Sequence, residues 1–416
     1  MALTKPMITE IPDGVEFAYI NEQYWPAIQL RNFTRNRNGD LIAELDGFCT
    51  EANIMIPVKG VKFNLNSLAM RSRIAKGLKE SFESVEGTWV DWERILADVS
   101  WRAIQFWRDG DEVKTIWPSD EILKPSYLIE PLLPLHQPAI IFGDGSTGKG
   151  HLAITLGIIA QLPYKDNTLG LITQDEYSNV LYLDYESDSV EFQRTLTGIS
   201  NGLGINVGLR RLGMAQPVAD DIEQLRKKVS NEQVSFLIID SLAPASGGNI
   251  NEAEPAVKLY SVLRTLPDVT TLIIAHNSKD TLTNKKSVYG SVFFTNLARS
   301  VWEIKKTQEQ GDPEMLISLT HRKSNRKLHS ALGFRFTFDD ATNTIRVEKA
   351  DLLDTELAKA LPLKIRIADL LKHGKLEVKE LAEELGEKEA SVRARLHDNK
   401  KMFEHFDDGW GLLVNE

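Results

Sequence analysis

A chain of 416 residues with a net charge of −10 and 42% apolar side chains is long enough for two or three domains, each with its own core. Its single cysteine, Cys49, rules out an intrachain disulfide framework and a cysteine-based zinc site, which suits a reducing compartment. So acidic a molecule holds nucleic acid only through local basic patches. The opening MALTKPMITEIPDG has no apolar signal core, and LAITLGIIAQL, the longest apolar stretch, falls short of the ~20 residues that cross a bilayer. A cytoplasmic protein with no membrane partner is expected.

Residues 1–124 read as an α+β accessory domain without a nucleotide motif. VEFAYI and GDLIAELDGF alternate as strands do, with NRNGD as a turn between strands. Asn66 and Ser67 open a helix whose Leu68, Ile74, Ala75 and Leu78 share a face. A second helix carries Trp92, Ile95, Leu96, Val99, Ile104 and Phe106. Such a stripe is a core face far more often than a stacking platform for bases. A proline-containing stretch, WPSDEILKPSYLIEPLLPLHQP, then leads into the next region.

From Ala139 the pattern becomes alternating strands and helices, over a domain assigned to residues 125–350. AIIF, VLYLD, SFLIID and TLIIAH are near-continuous apolar runs, as in parallel strands buried on both faces. Helical stretches lie between them, so right-handed crossovers build a doubly wound α/β layer. RSVWEIKK, EMLISLTHRK and the hairpin FRFTFDDATNTIRVEK extend the sheet, and an antiparallel arrangement is expected for them.

The strand AIIF runs straight into GDGSTGKGH, residues Gly143, Asp144, Gly145, Ser146, Thr147, Gly148, Lys149, Gly150 and His151. A strand, a glycine-rich loop and a helix starting at a lysine form the geometry that cradles a triphosphate. Backbone N–H groups turn inward, the helix N-terminus adds partial positive charge, and Lys149 adds a full one. ATP with Mg²⁺ is the expected cofactor pair. Asp240 ends the strand FLIID, where a carboxylate holds Mg²⁺ directly or through water. VLYLDYES ends with Asp184 and Glu186, of which Glu186 is the better candidate to polarise an attacking water. LIIAHNS ends with His276 and Asn277, able to donate to a γ-phosphate.

These motifs, in this order, resemble the RecA-like ATPase fold, and within it the RepA-type group of AAA-family ATPases found among plasmid and phage replicative helicases. The resemblance spans roughly Leu128–Lys349. It implies Lys149 as phosphate binder, Asp240 as magnesium-site acid, Glu186 as catalytic base and His276 as γ-phosphate sensor. It also marks THRKSNR, where Arg322 and Lys323 would reach a neighbouring subunit's ATP as a finger. A ring-forming homo-oligomer, a hexamer by this resemblance, follows. One position departs from the pattern. Where a Ser or Thr hydroxyl normally meets Mg²⁺, this chain has Gly150.

The same resemblance puts single-stranded DNA on two loops. APASGGNINEAEP, after the Asp240 strand, is acidic; NSKDTLTNKKSVYGS, after the His276 strand, offers Lys279, Lys285 and Lys286 for phosphates and Tyr289 for stacking. Residues 351–416 read as a winged helix-turn-helix, with Arg393, Arg395 and Lys400 on the reading helix. Fifteen acids against eleven bases in this tail leave both duplex binding and protein docking open.

The fold expected is therefore α/β: a RecA-like P-loop core with a mixed, mainly parallel sheet, an α+β N-terminal domain and a winged-helix C-terminal domain. The function expected is an ATP-driven motor of the replicative helicase type. A nucleotide-gated DNA-binding regulator with little turnover is the alternative that Gly150 favours. A P-loop kinase leaves the tail unexplained.

Overall fold

The computed structural model describes residues 5–11, 14–20, 25–36, 38–51, 54–55, 58–82, 90–110, 113, 115–118, 126–162, 166–266, 268–278, 287–353, 355–407 and 409–413. The chain divides into two compact units, Met1–Leu123 and Lys124–Glu416.

In the first unit, β1 (Met7–Ile11), β2 (Gly14–Ala18), β3 (Trp25–Arg35), β4 (Leu41–Glu51), β5 (Ile54–Met55) and β6 (Val58–Asn64) form one antiparallel sheet. Two helices follow, α1 (Leu68–Phe82) and α2 (Trp92–Asp109). Strand alternation turns Val15, Phe17, Ile28, Leu30 and Phe63 inward, where they meet Ile74 and Leu78 of α1 and Trp92, Ile95, Leu96 and Val99 of α2. The aromatic and aliphatic stripe of α2 is thus core. Asp91 caps this helix by accepting from the Arg94 N–H.

The second unit opens with β7 (Tyr127–Glu130) and β8 (Leu133–Pro134). It continues through β9 (Pro138–Gly143), α3 (Lys149–Gln161), β10 (Ile172–Thr173), β11 (Val180–Asp184), α4 (Ser189–Leu203) and β12 (Arg210–Gly213). Next come α5 (Ile222–Asn231), β13 (Phe236–Asp240), α6 (Leu242–Ser246), α7 (Ala253–Leu263), β14 (Thr270–His276) and α8 (Val292–Leu297). The strands β15 (Ser300–Thr307), β16 (Glu314–Ser324), β17 (Leu332–Asp339) and β18 (Thr344–Lys349) complete it. A small sheet, β10-β7-β8, sits beside a nine-stranded one ordered β12-β11-β13-β14-β9-β15-β16-β17-β18.

The strands from β12 to β15 run parallel, and β16, β17 and β18 are antiparallel. The strand RSVWEIKK, expected to be antiparallel, is β15 and pairs parallel to β9. The reason is the connection. Segment 277–299 with α8 lies between β14 and β15, which flank β9, and a crossover of that length returns the chain in the same direction. Leu152, Leu156 and Ile158 of α3 and Phe192 and Ile199 of α4 cover one face. Leu225 of α5, Leu259 and Leu263 of α7 and Phe294 of α8 cover the other. With both faces covered, the central strands carry apolar residues at successive positions instead of alternating.

After the nine-stranded sheet, α9 (Leu363–Leu370), α10 (Val378–Leu385) and α11 (Glu389–Asp398) precede a hairpin of β19 (Phe403–Phe406) and β20 (Gly409–Leu412). Leu376 bridges to Trp410, adding a third chain segment to the hairpin. Ile367, Leu381, Val392, Leu396, Phe403 and Trp410 make a separate small core. Arg366 is buried in it, donating to Glu387 Oε1 at 2.8 Å and to the Leu385 carbonyl at 2.7 Å.

Candidate nucleotide-binding site

The loop between β9 and α3 requires glycine at two of its positions. A Cβ on Gly143 would lie 2.6 Å from the Ile304 carbonyl oxygen, and Gly148 has φ +80°, a left-handed conformation that favours glycine. Lys149 opens α3 and is 7% exposed. Its ammonium donates to the carbonyls of Gly143 at 3.1 Å and Asp144 at 2.6 Å, and to Thr147 Oγ1 at 3.3 Å. The charge therefore sits in the mouth of the loop. Burial lowers the Lys149 pKa, and Asp240, Glu186 and Asp144 oppose that shift.

Two carboxylates of unlike surroundings face this lysine from neighbouring strand ends. Asp240 accepts from the Tyr182 hydroxyl at 2.5 Å. Burial is the main cause that pushes its pKa up to about 6; Glu186 and Asp184 add to the shift, while the Tyr182 hydrogen bond and Lys149 oppose it. Glu186 lies two residues beyond Asp184, the register partner of Asp240. It accepts from Ser241 Oγ at 2.5 Å and stands 3.4 Å from His276 Nε2. Asp184 is buried and occupied. Burial alone would raise its pKa, but Ser187, the Arg211 guanidinium at 2.8 Å and the Glu186 N–H bring it down. It braces the strand end, and Glu186 is the acid left half-exposed. Asn277 donates to Asp144 Oδ1 at 3.0 Å, joining the end of β14 to the phosphate loop.

A magnesium ion fits this donor set. Asp240 offers hard carboxylate oxygen beside the loop, and Mg²⁺ binds through one or two carboxylates while keeping several waters. Among the described residues no group of three or more His, Cys, Asp or Glu could hold a metal, so Asp240 would share the ion with phosphate oxygens. Only ionised Asp240 can do so. If Asp240 holds the ion, the gain in nucleotide affinity from Mg²⁺ is expected to fall, by up to about tenfold per pH unit, as the pH drops below about 6. Titration of a fluorescent nucleotide from pH 5 to 8, with EDTA at each pH as control, measures this.

The His151 ring turns away from the loop and packs edge-on against Phe336 and Phe338, where burial lowers its pKa. Lys323 pairs with Val301, which pairs with Ile140, three residues before Gly143. Arg322 binds the buried Glu303 through two guanidinium nitrogens, one of them at 2.7 Å. Lys323 donates to the carbonyls of Thr295 at 2.9 Å, Asn296 at 2.7 Å and Ala298 at 2.5 Å, closing the C-terminus of α8. Lys279, Lys285 and Lys286 lie outside the described residues. The base of their loop is closed by an Asn277–Val288 bridge and by the Tyr289 N–H donating to the His276 carbonyl at 2.8 Å. The Tyr289 ring is exposed. Arg393 and Arg395 on α11 and Lys400 just after it are exposed, and Arg395 pairs with Asp398 at 3.3 Å.

Tyr182 and Ser241 were not among the candidates. A tyrosine inside an otherwise aliphatic buried run is the signal for the first, because a buried phenol requires a hydrogen-bond partner. Ser241 directly follows Asp240, where any hydroxyl shares the acid's surroundings.

Residues 109–281, phosphate loop and strand-end acids included, match the family model of an AAA domain. No curated protein is significantly similar to the chain in sequence. Among solved structures, a KaiC-like protein of the hyperthermophilic archaeon Pyrococcus horikoshii is similar over 54% of this chain and 99% of its own, at 17% identity and a TM-score of 0.39. So loose a likeness carries no functional argument. Among the described residues, no helix is long and apolar enough to cross a membrane.

Proposed function

We propose that this chain, with an AAA domain over residues 109–281, is an ATP-hydrolysing oligomeric motor of the RepA-like replicative helicase type. It would act on single-stranded DNA in plasmid, phage or mobile-element replication. In this reading the loop amides and Lys149 hold the β- and γ-phosphates, and Asp240 holds Mg²⁺, which neutralises charge on those phosphates. Glu186 accepts a proton from the attacking water, and His276 donates to the γ-phosphate. The observation that carries the reading is the position of His276. It stands 3.4 Å from Glu186 and, through its carbonyl, closes the base of the basic loop. A change at the γ-phosphate is thus one residue away from the proposed DNA contact.

Arg322 and Lys323 would serve as a finger in trans only by leaving the partners they hold within the chain, Glu303 for the first and the carbonyls that close α8 for the second, and a second copy of the chain would have to receive them. Arg393, Arg395 and Lys400 would let the C-terminal helices, read as a winged helix, touch duplex DNA. The second reading, an ATP-gated assembly switch with little turnover, is favoured by one observation, the missing hydroxyl at Gly150. ATPase rate with and without single-stranded DNA, measured together with mass in solution with and without ATP, separates the two. The motor predicts turnover stimulated about tenfold or more by the strand, in an oligomer. A stable, barely hydrolysing oligomer on duplex DNA supports the switch, and an unstimulated monomer removes both.

A further inference from the structure

Gly150 leaves a gap at a place where its neighbours impose none. A Cβ built there would meet only one atom within 4 Å, Asp240 Oδ2 at 3.5 Å, an ordinary contact. Glycine is also the poorer residue in a helical turn. Sterics and backbone therefore both permit a hydroxyl-bearing side chain at this position, and it would lie against Asp240.

The oxygen such a side chain would meet is already engaged. Tyr182 donates its hydroxyl to Asp240 Oδ2 at 2.5 Å from β11, the strand beside Asp240's own. The Tyr182 ring is 2% exposed and held edge-on against Phe192 with centroids 5.0 Å apart. Tyr182 pairs with Ile238, two residues before Asp240 on the same face of the sheet, so its ring points along the strand end toward the acid. A phenol fixed this way cannot turn to another partner, and the carboxylate it holds cannot swing freely.

We infer that Tyr182 is a positioning residue for the magnesium-holding acid, supplying from β11 the hydroxyl that residue 150 lacks. Its hydrogen bond keeps the Asp240 carboxylate in one orientation, with the other oxygen left for the metal or a metal-bound water. This inference rests on the nucleotide site proposed above and assigns a role within it.

The test uses the full chain and a fluorescent ADP, titrated with Mg²⁺ and separately with EDTA. Tyr182→Phe should cut the Mg²⁺-dependent gain in affinity about tenfold and leave the affinity in EDTA unchanged. Adding Gly150→Ser to that variant should recover most of the loss, since the serine hydroxyl would reach the same acid. A full Mg²⁺-dependent gain in Tyr182→Phe overturns the inference, as does an equal loss with and without Mg²⁺, the mark of a purely structural role. Failure of Gly150→Ser to recover the loss overturns the exchange of one hydroxyl for the other. If the unaltered chain binds no nucleotide in either condition, the nucleotide site itself is wrong, and the inference falls with it.

Discussion

Replacing Lys149 with methionine should lower ATP affinity by at least about 100-fold and leave the fold intact. The ammonium makes three hydrogen bonds within the loop, to Gly143, Asp144 and Thr147, and a bound triphosphate would take over this donor capacity. Hydrogen bonds to charged groups contribute about 1.5–3 kcal/mol each, so losing two of them accounts for two or more orders of magnitude in Kd. Methionine fills the same buried volume and keeps the first turn of α3. The cost appears elsewhere as well, since Asp240, Glu186 and Asp144 would lose the cation they share. Equilibrium titration with a fluorescent nucleotide, alongside a melting curve, reads both effects. Unchanged ATP affinity in the variant would remove the triphosphate cradle from the account.

Glu186→Gln separates binding from chemistry. The amide oxygen still accepts from Ser241, so the strand end keeps its shape, but the group can no longer take a proton from water. Loss of a positioned general base costs about 10²–10⁴-fold in rate, and turnover should fall by that much while ATP binding changes by no more than a few-fold. Steady-state hydrolysis and nucleotide titration on the same preparation measure the two quantities. Undiminished turnover would move the base away from Glu186.

The central strands and the phosphate loop were legible because their physics is local. AIIF, VLYLD and TLIIAH are apolar at successive positions because helices cover both faces, and Gly143 and Gly148 answer a close approach and a left-handed backbone turn. What escaped was non-local. β12, with the sequence RRLG, is an edge strand with no apolar run to mark it, although its Arg211 braces Asp184. The direction of β15 depended on which strand the chain returned to, and its own residues do not encode that. YLIEPLLP reads as a link because its prolines punctuate it, yet it forms β7 and β8. In the site, the acids were found by their places at strand ends. The hydroxyls that hold them, on Tyr182 and Ser241, were not, because a hydrogen bond from one strand to the next leaves no spacing within either.

The division of the molecule into Met1–Leu123 and Lys124–Glu416 bears on what "stability" means for it. The first unit has its own buried cluster around Phe17, Phe63 and Trp92, and the second packs around its sheet. A two-state description, which serves small single domains, does not extend to such a chain. Free energy gained from a bound ligand accrues to the part that holds it. A nucleotide could thus protect one region against heat or protease while the other melts as before, and no single midpoint temperature would describe both.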